Sequence, residues 1–477
     1  MIRVRTVARC VVLIGALGGL PLSAMQARAQ ERRDAMGPLR VHPRNPRYFA
    51  DGGGRAVYLT GSHTWSNLQD QGPKDPPKPF DYEAYLDFLR ERDHNVIRLW
   101  AWEQAHWAPW SDGKGPNPSN WFIQPNPYAR TGPGVALDGK PKFDLEKWDD
   151  AYFERLRTRV RKAGERGIYV SVMLFQGWSS AKSWLGGTPW RGHPYRPENN
   201  VQGWSGNTKG NTGPALSDPR VRERQAAYIR KVIDTLNDLD NVLYEVTNEG
   251  GDRDWDRFVV ETVHAYEETK PKRHPVGLTG HGSETNDEML ASPADWFSPG
   301  SSQWPDLKTD PRAVDGKKVS LLDTDHVFGV GGDQKWVWKA FLRGHNVLFM
   351  DPYDDPAWAP ILAGQGVGVR DAEACRRAMG HARRYAGRID LAASRPAGEL
   401  ASTAYCLAVP GREYLVYLPD GGGATVDLSG VEGKLAVEWT HPITGQSTSG
   451  DAVAGGAKRT LNAPFDGDAV LYLRTLP

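Results

Sequence analysis

The chain has 477 residues, with 59 Lys and Arg against 58 Asp and Glu, 18 Trp, 52 Gly, 35 Pro and three Cys. That length exceeds a typical single domain and predicts one large domain followed by a smaller one. A net charge of +1 with no basic block offers nucleic acid nothing to bind, and three cysteines build no disulfide framework.

Residues 1–29 read as a cleavable secretory signal. Arg3, Arg5 and Arg9 precede the apolar run Val11 to Leu20, and Ala27-Arg28-Ala29 offers a small-x-small cleavage site before Gln30. The run is too short to be a stable membrane span, so the mature chain is expected to be secreted or periplasmic and free of the membrane. Removing the four arginines of this segment from the 59 leaves 55 basic residues against 58 acidic ones, a net of −3. The mature cysteines, Cys375 and Cys406, read as two independent buried thiols rather than a bridge.

In chain order, Leu39 to Phe49 predicts a short strand or hairpin before the turn Asp51-Gly52-Gly53-Gly54. Ala56 to Gly61 is then a first buried strand ending at Ser62-His63-Thr64-Trp65. A helix over Phe80 to Arg92 leads to strand two, Asn95 to Glu103, which carries Arg98 among apolar neighbours. A buried Arg requires a carboxylate or carbonyl partner. A long Pro-, Gly- and Trp-rich insertion, Gln104 to Lys142, precedes a helix expected from Phe143 to Glu165 with Asp144 as its N-cap. Strand three, Ile168 to Phe175, ends at Gln176-Gly177-Trp178. A second long loop, Ser179 to Pro214, and a helix over Asp218 to Leu236 lead to strand four.

Strand four is the run Val242 to Glu249, which stops at Gly250-Gly251. Further strand and helix units follow: strand five at Pro275 to Thr279 near His281, a weaker strand six at Ala294 to Ser298, strand seven at Val319 to His326, and strand eight at Asn346 to Pro352. A helix over Asp371 to Ile389 closes the series. Eight such units without a Gly-rich dinucleotide fingerprint favour a closed (β/α)8 TIM barrel over an open doubly wound sheet. From about Ala393 the period changes to short alternating runs between Gly- and Asp-rich turns, which predicts a small C-terminal antiparallel β-sandwich. The expected organisation is signal 1–29, catalytic barrel 30–392 with a short N-terminal β segment, and sandwich 393–477.

In a barrel of this kind the site sits at the C-terminal strand ends, so polar residues there invite a functional reading. Asn248 and Glu249 end strand four. Asp323 and Asp325 end strand seven, and with a period of two both would face inward. Paired carboxyls on opposite walls suit glycosidic cleavage, in which one protonates the leaving oxygen and the other attacks or activates water. Around them stand His63, Arg98, Glu103, Gln176, Asn248, His281 and His326 as partners for sugar hydroxyls, with Trp102 and Trp178 as stacking platforms. Two other readings compete. A non-catalytic carbohydrate-binding barrel would keep the aromatics without needing paired acids. A metal-dependent hydrolase would need ligands at metal spacing, and neither a His-x-x-x-His pair nor a Cys cluster supports one, so no metal and no cofactor is expected.

Five stretches carry a family resemblance: Tyr58-Leu59-Thr60-Gly61-Ser62-His63-Thr64-Trp65, Lys142-Phe143-Asp144-Leu145, Val246-Thr247-Asn248-Glu249, Asp323-Thr324-Asp325-His326 and Trp439-Thr440-His441-Pro442-Ile443-Thr444-Gly445. Together they resemble the clan A type of (β/α)8 retaining glycoside hydrolases. The likeness is to cellulase-like and apiosidase-type proteins that carry a C-terminal β-sandwich labelled collagen-binding. The resemblance implies a secreted O-glycosyl hydrolase acting on a plant or bacterial polysaccharide or oligosaccharide. It makes Glu249 the general acid/base and a strand-seven aspartate the nucleophile or base, Asp323 in preference to Asp325. Glu249 is then expected to hold the acid's proton and Asp323 to be ionised. Most clan members place Glu at that strand-seven position, and the shorter Asp leaves retention or inversion of the anomeric centre open.

Overall fold

The computed structural model describes residues 37–107, 121–181, 189–208, 211–214, 218–280, 284–353 and 369–476. The expected signal at 1–29 and His281 lie outside the described residues. Among these residues no helix is long and apolar enough to cross a membrane.

Eight parallel strands form the core: β1 (Thr60–His63), β2 (Val96–Leu99), β3 (Tyr169–Gln176), β4 (Val242–Asn248), β5 (Val276–Thr279), β6 (Trp296–Ser298), β7 (Val319–Asp323) and β8 (Asn346–Met350). Each pairs in parallel with its sequence neighbour from β2 round to β8, and β8 pairs with β1. The remaining seam, between β1 and β2, is joined through Asn95: its N–H donates to Thr60 O at 2.9 Å and its Oδ1 accepts from Thr60 N at 2.9 Å. Gly61 permits that closeness, because a Cβ there would stand 1.8 Å from Val96 O. The barrel is therefore nearly closed. Its strands are buried along their length and mostly apolar, β1 (Thr-Gly-Ser-His) excepted.

The outer layer comprises α1 (Tyr82–Glu91), α2 (Asp150–Gly164), α3 (Pro219–Leu236), α4 (Arg253–Glu267), α5 (Asn286–Ala291), α6 (Gln334–Leu342) and α7 (Val369–Ala386). Aspartates cap five of them: the side chains of Asp81, Asp149, Asp218, Asp252 and Asp333 accept from the first-turn N–H groups of α1, α2, α3, α4 and α6. The short α5 opens on a full capping box, Thr285 with Glu288.

Three expectations need correction. The first barrel strand is Thr60–His63, whereas Ala56–Val57 pairs with Phe49–Ala50 in a small three-stranded sheet outside the barrel. The helix expected from Phe143 starts at Asp150, because Pro141–Trp148 is an antiparallel strand against Tyr128–Val135 and Asp149, not Asp144, is the cap. Strand seven stops at Asp323, whose carboxylate accepts from Asp325 N at 2.9 Å and so caps a helical turn, Thr324–Val327. A shared strand face therefore does not relate the two aspartates.

Residues 395–475 form two antiparallel sheets. The larger runs in the order Arg395–Pro396, Cys406–Val409, Glu413–Leu418, Ala469–Thr475, Lys434–Thr440 and Ser447–Ala454, and the smaller pairs Gly423–Asp427 with Lys458–Asn462. The larger sheet packs on α6 and α7. Trp338 stacks on Tyr417 with ring centroids 6.1 Å apart, and Tyr385 Oη donates to Glu438 Oε1 at 2.8 Å. Leu407, Leu415, Val470 and Tyr472 share one buried cluster with these helices. Cys375 and Cys406 are both free and buried.

Candidate active site

The polar centre of the barrel is assembled around Arg98 of β2, whose side chain is 1 % exposed. Its Nε donates to Glu245 Oε2 at 2.9 Å and its Nη2 to Glu245 Oε1 at 2.5 Å, a bidentate pair between the barrel's second and fourth strands. Nη2 also reaches Asn248 Oδ1 at 2.9 Å. Nη1 is shared by the strand-seven acids, at 2.9 Å from Asp323 Oδ2 and 3.3 Å from Asp325 Oδ2. Burial alone would lower the guanidinium pKa, but the charges of Glu245 and Asp323 outweigh it and raise the value.

The two aspartates meet opposite surroundings. Asp323 is fully buried, and besides Arg98 it lies 2.9–3.0 Å from His63 Nε2. Burial would push its pKa up, yet the His63 imidazole and Arg98 hold it well below the usual carboxylate range, so Asp323 is ionised. Asp325 reaches the edge of the site, at 9 % exposure. There burial first and then the charge of Glu249 raise it well above the ordinary value, against the opposing pull of Arg98. Asp325 therefore holds a proton more readily than an ordinary carboxyl does.

Glu249 follows the last residue of β4, is partly exposed, and adopts φ +46°, a left-handed conformation that a non-glycine residue rarely takes. Its backbone is pinned from the neighbouring strand end: Gly177 N donates to Asn248 O at 2.8 Å, and a Cβ on Gly177 would lie 2.2 Å from Glu249 O and 2.4 Å from Gly250 Cα. The side chain that precedes it is equally fixed. Asn248 Oδ1 accepts from Arg98 and lies 3.3 Å from His326 Nε2, while its Nδ2 donates to Gln176 Oε1 at 3.2 Å. His326 Nδ1 lies 3.0 Å from Ser298 Oγ. An Nε2–H tautomer satisfies both contacts, with the Ser298 hydroxyl donating to Nδ1.

The other sequence candidates divide into a surface and a foundation. Glu103 and Trp178 are partly exposed at the rim, with Gln176 N donating to Glu103 Oε2 at 2.8 Å and Trp178 N donating to Gln176 Oε1 at 3.3 Å. His63, Arg98 and Gln176, expected as partners of sugar hydroxyls, are at most 1 % exposed; Arg98 and Gln176 spend their polar groups on the protein, and so does His63 with its Nε2. Trp102 is not a stacking platform. It is 2 % exposed, packed edge-on to Trp65, and its Nε1 donates to Trp65 O at 3.1 Å.

Sequence reasoning missed Glu245, the strongest partner of Arg98. The signal was available: a lone anion in the apolar β4 and a lone cation in the apolar β2, each needing the other. At the end of β8, Asp351 is also buried but is taken by Arg376, whose Nε donates to its Oδ2 at 2.8 Å. Among the described residues no group of three His, Cys, Asp or Glu side chains is placed to share a metal ion.

Residues 89–296 match a family described as a domain of unknown function, DUF6298; the span runs from the end of α1 through most of β2 to β6 and so includes Arg98, Glu245, Asn248 and Glu249 but not the strand-seven acids. No curated protein matches the chain. Among solved structures, a glycoside hydrolase family 5 protein from Bacteroides vulgatus ATCC 8482 is similar at 13% identity and a TM-score of 0.59, with 92% of this chain and 93% of that one covered. Another, described as a glycoside hydrolase, is similar at 13% identity and a TM-score of 0.56 over 92% of this chain and 97% of that one. At such identity the likeness establishes the fold: a nearly closed barrel followed by C-terminal antiparallel sheets, distantly similar in structure to glycoside hydrolases of the family 5 type.

Proposed function

We propose that the protein is a secreted glycoside hydrolase in which Glu249 and Asp325 are the two reacting acids. The observation that carries this is their place on the rim: Glu249 follows the last residue of β4 and is partly exposed, and Asp325 lies in the turn that Asp323 caps at the end of β7, where burial and then the charge of Glu249 raise its pKa. The raised carboxyl of Asp325 suits proton transfer to or from a glycosidic oxygen, and a second carboxyl on the same rim suits the complementary step, attack or water activation. Asp323 serves a different purpose in this reading. Ionised and enclosed by His63 and Arg98, it fixes Arg98, which in turn orients Asp325 and Asn248. Glu245 anchors the same guanidinium from the opposite wall.

The substrate class follows from the chemistry of two acids on a barrel rim, supported by the fold it shares with glycoside hydrolases. Incubating the purified protein with a panel of plant and bacterial polysaccharides and assaying released reducing sugar tests it. At least one substrate should be cleaved, and Glu249→Gln should lose that activity by roughly 10²–10⁴-fold. Cleavage that survives Glu249→Gln undiminished refutes Glu249 as a reacting acid, and no cleavage of any glycoside refutes the function.

A further inference from the structure

A cavity of about 280 Å³ lies beside the rim, between the strand Phe122–Gln124, the hairpin Tyr128–Val135/Pro141–Trp148 and the start of α2. It is lined in part by Ala105, two residues beyond Glu103. Its wall is tied to the β2 end through Gln69, whose Nε2 donates to both Trp102 O and Pro125 O at 2.9 Å. Phe122, Ile123, Pro125 and Phe143 give it apolar walls. Asn126, only 7 % exposed, also lines it, and among the described residues its Nδ2 has no hydrogen-bond partner. A buried amide donor without an acceptor is costly, so its presence in a cavity wall points to a ligand that brings an oxygen.

The charge in the wall says which oxygen. Arg130, Lys140 and Arg155 all line the cavity, but each is already matched: Arg130 Nη1 to Asp138 Oδ1 at 3.2 Å, Lys140 Nζ to Asp75 Oδ1 at 2.9 Å, Arg155 Nη1 to Asp70 Oδ2 at 2.7 Å. Asp149 adds a further carboxylate to the wall. Three cations against four acids leave no surplus positive charge for a carboxylate or phosphate. A neutral oxygen, the hydroxyl of a sugar, fits both the orphan donor and the apolar walls that would meet a ring's C–H faces. The volume lies just under the lower end of ligand pockets, about 300 Å³, which suits one sugar ring and not a chain.

We infer that this cavity is an accessory subsite that binds one neutral monosaccharide unit of the substrate, with the Asn126 amide donating to a ring hydroxyl. The inference rests on the carbohydrate reading of the site, and binding without turnover tests it separately. Saturation-transfer NMR on the full-length mature protein would use glucose, galactose, mannose, xylose and arabinose, each alone, with glucuronate as the charged comparison. At least one neutral sugar should give a signal that weakens at least tenfold in both Asn126→Ala and the near-isosteric Asn126→Asp. Glucuronate should not bind better than that sugar.

Thermal melts of both variants show whether each is folded, and either folded variant suffices. Equal binding in the folded variants, no binding of any neutral sugar, or preferential binding of glucuronate overturns the inference. Hydrolysis by the wild type is scored independently. Asn126-dependent binding without hydrolysis would sink the enzyme and keep the subsite, and hydrolysis with Asn126-independent binding would do the reverse.

Discussion

Asp323 and Asp325 stand two residues apart, yet one is part of the foundation and the other faces the site. Removing a partner from a buried ion pair costs about 3–5 kcal/mol, because the remaining charge is left uncompensated. Asp323→Asn, which weakens the hold on both Arg98 and His63, should therefore lower unfolding stability by a few kcal/mol in chemical denaturation at neutral pH. Asp325 carries the opposite sign. Its folded-state pKa is raised, so between the unfolded value near 4 and that raised value the native state binds the extra proton, and stability falls as pH rises. Asp325→Asn should thus be at least as stable as wild type at pH 7, and its melting temperature should decline less between pH 4 and pH 7. Comparable destabilisation by both substitutions would show that the two carboxyls do the same structural work. The sequence placed Arg98, Asn248, Asp323 and Asp325 at strand ends, and the structure joins these four by hydrogen bonds. The turn that Asp323 caps, which sets how deeply each of the two aspartates is enclosed, was not legible, because a strict strand period hides it.

The elements were read where apolar periodicity was strong and misread where a local contact decided the boundary. Both Asp144 and Asp149 could open a helix, and Asp149 wins because Pro141–Trp148 pairs with Tyr128–Val135 instead. Ser447–Ala454 and Lys458–Asn462 were not anticipated because they are mostly exposed and polar, so neither shows the alternation that betrays a strand. The helix α5 was likewise not anticipated, although its capping pair, Thr285 and Glu288, is present in the sequence. At the β3–β4 ends the fit is tight enough to test. A methyl on Gly177 would meet backbone, not a flexible side chain. Gly177→Ala should shift Glu249 and reduce hydrolysis at least tenfold, whereas Gly430→Ala, where nothing lies within 4 Å, should leave it unchanged. Equal activities in the two variants would mean that the Gly177 contact does not position the acid.

For the whole molecule, the C-terminal sheets act as a cover for the barrel. Trp338, Phe341 and Tyr385 are buried in a cluster completed by residues of the sheet, and Arg388 pairs with Glu438 at 2.6 Å across the same junction. Exposing that apolar surface would favour aggregation. A chain ending at residue 392 should be insoluble or melt well below the full-length protein, and a soluble truncation with full activity would reduce the sheets to an appendage. At the other terminus, Edman sequencing of exported protein should begin near Gln30, and material still beginning at Met1 would refute the proposed signal. The alternation of strands and helices made the barrel legible because most of its buried strands are apolar runs; the polar β1 was misplaced for lack of one. How the sheet docks on α6 and α7 was not legible, since that contact joins residues far apart in the chain.

The claim that Glu249 and Asp325 are the reacting pair is tested most directly by initial rates on one cleaved polysaccharide. Wild type, Glu249→Gln, Asp325→Asn and Asp323→Asn would be compared at a temperature where all four are folded. Loss of either reacting acid should lower the rate by roughly 10²–10⁴-fold. Asp323→Asn should retain more activity than Asp325→Asn, because it acts through Arg98 and not on the sugar. An Asp325→Asn enzyme with near wild-type rate, alongside an inactive Asp323→Asn that melts like wild type, would contradict the account and give the catalytic role to Asp323.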